Sequence, residues 1–173
     1  MKNFKNYLLE KDADTNYNFR GVLDIIREKN ISVKSNKLSF GLGLATIFGI
    51  YIDIDKLESD YRLTDEIRMY IILHEIGHYV RMKKLGEDNI LDKMSRPDFE
   101  HFFQGIIEEE IFADRWASIM YYKLNRVTYP RYMTQELHLK SNQEKYRDKC
   151  KNLFGQVDND IEKYKLFIQN YIN

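Results

Sequence analysis

Residues 74 to 78 read "HEIGH", set in the longer run "DEIRMYIILHEIGHYVRMKKLG". On an α-helix His74 and His78 stand one turn apart on the same face, about 6 Å along the axis, so both imidazoles can reach one ion. Glu75 follows the first histidine and precedes the second by three positions, so its carboxylate flanks that ion without having to bind it. Zinc lowers the pKa of a coordinated water to about 7, and a neighbouring carboxylate can take the proton as the water attacks a carbonyl. The spacing suits generation of a nucleophile. The plainer alternative is a core helix with two buried histidines, but H-E-x-x-H arises rarely by chance in a chain with four histidines.

Hydrolytic zinc sites usually hold three protein ligands and leave the fourth position to water, so a third ligand is needed. Its best source is "QGIIEEEIFADRWASIMYY", where Glu110 and Asp114 are four residues apart and share a helical face with Ile107, Ala117 and Tyr121. Two carboxylates on an apolar stripe are costly unless each has a partner. Glu110 can bind the metal while Asp114 accepts a hydrogen bond from the far nitrogen of a ligating histidine and fixes its tautomer. Glu108 falls on nearly the opposite side and reads as solvated. Glu109 is a closer rival, flanked by Ile106, Ala113 and Trp116, and periodicity favours Glu110 only modestly. His101 and His138 are alternative ligands, and His138 could instead stabilise an oxyanion. Gly77 costs the helix interior about 1 kcal/mol relative to alanine. That cost is either tolerated or explained by a second backbone packed close by, as the helix of a third ligand would be.

The elements that must position these groups are legible around them. Thr64 is an N-cap, Asp65 and Glu66 suit a first turn, and "KKLG" supplies cations and then Gly86 at a C-terminus, so one helix spans about 65 to 85. A second long helix starts near "SRPD", with Pro97 in its first turn, and runs towards Lys123. Upstream, "NFRGVLDIIREKN" predicts a helix over about 17 to 29. Three short runs follow, "ISVK", "KLSFGL" and "GIYIDID", rich in β-branched and aromatic residues. In the last, Ile50, Ile52 and Ile54 share one face and Tyr51 and Asp53 the other, which predicts a small, half-buried, antiparallel three-stranded sheet packed on the histidine helix. Beyond Pro130 two amphipathic segments predict a helical C-terminal part. The expected class is α+β and mostly helical, with a core over 1–125 and a helical extension over 126–173 packed on the same domain.

Composition narrows the function. Hydrophobic residues at 43% and charged residues at 31% fit a folded globular chain. Lys plus Arg equals Asp plus Glu at 27 each, so no global basic field draws the chain onto nucleic acid. The most apolar stretch, "GLGLATIFGIYI", is well short of the roughly 20 residues a membrane span needs. Cys150 is the single cysteine, which rules out an internal disulfide and, with no apolar signal segment at the N-terminus, leads us to expect a cytoplasmic protein.

These residues resemble the ImmA/IrrE family of small metallopeptidase-like proteins, similar in their core to gluzincin proteases. The resemblance covers roughly residues 20 to 122 and is carried by "GIYIDI", "RMYIILHEIGH" and "EIFADRWA", the last matching a pattern of glutamate, alanine three on, then an aromatic-alanine pair. It implies a zincin-like fold, His74, His78 and Glu110 as zinc ligands, Glu75 as general base, and Asp114 beside a ligand where some relatives carry asparagine. Trp116 replaces the usual phenylalanine, "LGEDNILDKMSRPDFEHFFQG" carries little family signal, and the last 50 residues give no match to the family. Members of the family are associated with mobile elements or stress responses and remove a DNA-binding repressor, often by cleaving it. The expectation is therefore a zinc metalloprotease acting on a helix-turn-helix repressor of a phage or mobile element. The alternative is a zinc-containing anti-repressor that sequesters its repressor without cutting it.

Overall fold

The computed structural model describes residues 3–38, 41–46, 48–86 and 99–129, together with 144, 147 and 148. The described chain is α+β and mostly helical. Its elements run α1 (Phe4–Asp14), α2 (Phe19–Glu28), β1 (Val33–Ser35), β2 (Gly43–Thr46), β3 (Gly49–Ile52), α3 (Ile54–Ser59), α4 (Asp65–Leu85) and α5 (Phe99–Asn125). Among the described residues no helix is long and apolar enough to cross a membrane. Nearly all of the expected extension over 126–173, and the "SRPD" helix start, lie outside the described residues.

Helix α4 forms where its caps require. The Thr64 hydroxyl accepts from the Ile67 N–H at 3.3 Å, Asp65 and Glu66 occupy the positive first turn, and Lys83 and Lys84 the last. Gly86 ends it at φ 81°, a conformation that suits glycine. Asp65 is also bound by Lys11 at 2.9 Å and Arg68 at 2.8 Å, which ties α1 to α4. Burial alone would raise the Asp65 pKa, but these two cations win and lower it.

Helix α5 runs antiparallel to α4, because residues rising along one meet residues falling along the other. Glu66 meets Tyr121, Tyr70 meets Ser118 and Asp114, His74 meets Asp114 and Glu110, and Arg81 meets Glu109. The two helices approach closely at Gly77, where a Cβ would stand 2.9 Å from both the Cα and the carbonyl oxygen of Ala113. A second backbone does pack on this glycine, and it belongs to the helix that carries Glu110.

The sheet has three strands and packs on α4, but it is mixed rather than antiparallel. Its order is β1-β3-β2, with β1 parallel to β3 and β2 antiparallel to it. The tight β2–β3 connection makes those two a hairpin, and β1 takes the edge the hairpin leaves open. "GIYI" is therefore the central strand, buried on both faces rather than half-buried, with Ile52 at 0% exposure. Of the "KLSFGL" run, Lys37, Leu38, Gly41 and Leu42 lie outside any strand, Ser39 and Phe40 are outside the described residues, and the second strand begins at Gly43.

Two helices were not expected. Ile54 starts α3 instead of continuing β3, because Asp53 turns the chain and caps it, accepting from Lys56 N–H at 3.1 Å and Leu38 N–H at 2.9 Å. At the N-terminus α1 buries Phe4, Tyr7 and Leu8 beside α2, whose Phe19, Val22, Leu23, Ile25 and Ile26 join Ile50, Ile52, Ile54, Leu57, Met69, Ile72, Leu73 and Ile76 in one core. That shared core holds α4 against the sheet.

Candidate metal centre

His74, His78 and Glu110 converge between α4 and α5. One ligand atom from each lies within 4.8 Å of the other two, the only such group of metal-binding side chains among the described residues. His78 Nε2 is 3.0 Å from His74 Nε2, Glu110 Oε2 is 3.1 Å from His74 Nε2, and Glu110 Oε1 is 3.7 Å from His78 Nε2. Ligand atoms about 2.05 Å from a tetrahedral zinc stand about 3.3 Å apart, and the three observed separations bracket that value. All three side chains are mostly but not wholly buried, so a fourth ligand position can face solvent.

Asp114 lies one turn beyond Glu110 and is 2% exposed. Its Oδ1 is 3.1 Å from His74 Nδ1. A carboxylate can only accept, so the imidazole proton belongs on Nδ1 and the Nε2 lone pair is left for the ligand point. Two groups that sequence reasoning did not single out hold Asp114 in turn. The Tyr70 hydroxyl lies 3.1 Å from both Asp114 Oδ1 and its carbonyl oxygen, and 3.2 Å from Ser118 Oγ. Ser118 continues the four-residue series of Glu110 and Asp114, a polar spacing along a buried face that could have marked it.

The charges fit a cation at the ligand point. Burial opposes protonation of His74, yet the hydrogen bonds to Asp114 and Glu110 prevail and raise its pKa to about 10. Burial pushes Glu110 up, but the charge of His78 and the bonds to His74 and His78 hold its carboxyl well below the usual range. Two carboxylates thus favour positive charge where a metal would sit.

Glu75 is half-buried between α4 and β2. Burial raises its pKa, opposed by His78 and His74 and, more weakly, by the Ala45 N–H. A carboxylate raised in this way is suited to take up and return a proton.

The rival carboxylates have other partners. Glu109 Oε1 accepts from Arg81 Nε at 2.7 Å, and Arg81 also lies over the Phe112 ring. Glu108 is exposed and meets Gln104. Of the tyrosines that follow the site in the chain, Tyr122 is exposed, and Tyr129 is buried in a stack on Tyr70 with ring centroids 3.7 Å apart. The His101 side chain, Tyr132, His138 and Cys150 lie outside the described residues. No protein-family model matches the chain, and no curated protein or solved structure matches it either.

Proposed function

We propose that this chain is a zinc-dependent peptidase of the ImmA/IrrE kind, with a zincin-like core and a helix-turn-helix repressor as substrate. One observation carries the reading: two histidines from α4 and a glutamate from α5 bring their ligand atoms within 4.8 Å while Glu75 stands beside them unused as a ligand. Zinc is favoured by the nitrogen-and-carboxylate donor set and the small ligand number. A zinc ion held by His74, His78 and Glu110 would supply Lewis acidity, acidifying water and polarising a carbonyl.

The chain's own groups do the rest. Glu75 takes the proton of the attacking water and hands it to the leaving amine. Asp114 fixes the His74 ring, and Tyr70 and Ser118 fix Asp114. An extended substrate segment pairs with a sheet edge. The strand "GIYI" is central and offers no free edge, so the edge beside Glu75 is β2. Asp53 N–H donates to Leu42 O, so the alternating antiparallel bonds to β3 use Leu42, Leu44 and Thr46, and the backbone groups of Gly43 and Ala45 face outward, where the Ala45 N–H already meets Glu75.

The test is to incubate the zinc-loaded protein with purified helix-turn-helix repressors and follow each partner's intact mass, with Glu75→Gln as control. Cleavage by the wild type alone is expected. An uncut partner that forms a stable complex with both versions would instead favour sequestration without hydrolysis.

A further inference from the structure

Gly43 of β2 lies directly against the side chain of Glu75. A Cβ at Gly43 would stand 2.5 Å from Glu75 Cγ, 2.8 Å from its Cδ and 2.9 Å from Oε1. No side chain can occupy that space while Glu75 keeps its conformation. We propose that Gly43 is a positioning residue for Glu75: its missing side chain leaves room for the Glu75 carboxylate, so edge strand β2 fixes the base on the ligand side of α4.

Glycine within a strand weakens it and often marks close approach by another group. Its other common use, a left-handed backbone, is absent here, because the described glycines with positive φ are Gly41, Gly49 and Gly86. The three atoms nearest to that Cβ position all belong to the Glu75 side chain. On the other side Glu75 is anchored to α4, so its Cγ cannot retreat by flexing at the chain end. A methyl group at Gly43 must therefore rotate the whole side chain away. His74, His78 and Glu110 lie on α4 and α5, so a methyl group on β2 leaves the ligand set in place.

This inference rests on the reading of Glu75 as general base, and its test separates the two. Gly43→Ala, Glu75→Ala and the double variant are compared by urea unfolding and by zinc content. Gly43→Ala is expected to destabilise the chain when Glu75 is present and to be neutral or stabilising when Glu75 is alanine, with zinc retained in all three. A backbone role for Gly43 would give the same change in both backgrounds and would overturn the proposal. Should Gly43→Ala fail to fold, recovery of folding in the double variant is the expected result, and its absence is contrary. On a substrate the wild type cleaves, Gly43→Ala is expected to lower kcat by about 100-fold with KM little changed. Coupling in a wild type that cleaves nothing removes the peptidase reading and keeps the contact. Cleavage without coupling keeps the peptidase and removes the role of Gly43.

Discussion

Replacing Gly77 by alanine sets two effects against each other. In an unobstructed helix interior the change gains about 1 kcal/mol from backbone propensity. Here the new methyl group would stand 2.9 Å from the Cα and the carbonyl oxygen of Ala113, backbone atoms that cannot rotate aside. Overpacking of this kind costs about 1–3 kcal/mol, and a backbone obstruction belongs in the upper half of that range. The net expectation is a loss of about 1–2 kcal/mol, which in a 173-residue chain lowers the thermal midpoint by about 2–8 °C. The assay is urea and thermal unfolding of chelated protein, which isolates packing from metal binding. Zinc affinity supplies a second reading, because Ala113 is three residues from Glu110 and pushing α5 outward draws that carboxylate away from the histidines. A Gly77→Ala variant stabilised by about 1 kcal/mol, as at an open helix glycine, would refute the close α4–α5 crossing.

Other substitutions probe the same centre. Glu110→Gln is expected to weaken zinc binding far more than Glu109→Gln, which loses a bond to Arg81 rather than a ligand, and isothermal titration that finds the reverse order would move the third ligand by one position. Glu75→Gln is expected to keep fold and zinc but lose cleavage by about 100-fold or more, and normal cleavage would remove the general-base assignment. The raised His74 pKa gives a pH trend in chelated protein. A folded pKa above the unfolded value of 6.5 contributes stability that is complete below pH 6.5 and is lost as pH rises towards 10. Urea midpoints should therefore fall across that window, and Asp114→Asn should flatten the fall; a flat wild-type profile would contradict the proton-binding role of the carboxylates.

Much of the site could be read from sequence because its signals are local and independent. Thr64, the acidic first turn and Gly86 bound α4 to the residue, and Gly77 anticipated a neighbouring backbone. The four-residue step from Glu110 to Asp114 placed both on the buried face of α5, and the geometry distinguishes Glu110 from Glu109, which periodicity did only weakly. What could not be read depended on partners distant in the chain. Alternation through Ile50, Ile52 and Ile54 mimics one strand, and only the Asp53 bonds to Leu38 and Lys56 reveal a turn into α3. Helix α1 buries its apolar residues within its first turns, Phe4, Tyr7 and Leu8, and the polar remainder gives little periodic signal. Strand order is likewise invisible, since nothing in "ISVK" says which edge of β3 it will take. That choice makes β2 the strand over Glu75 and gives Gly43 its contact.

The most direct test of the metal centre is zinc content after purification in zinc-replete buffer, measured per chain for the wild type, His78→Ala and Glu75→Gln. Convergence of His74, His78 and Glu110 leads us to expect one zinc in the wild type and in Glu75→Gln, and little in His78→Ala. A folded wild type that holds no zinc would contradict the metal site, and with it the peptidase built on it.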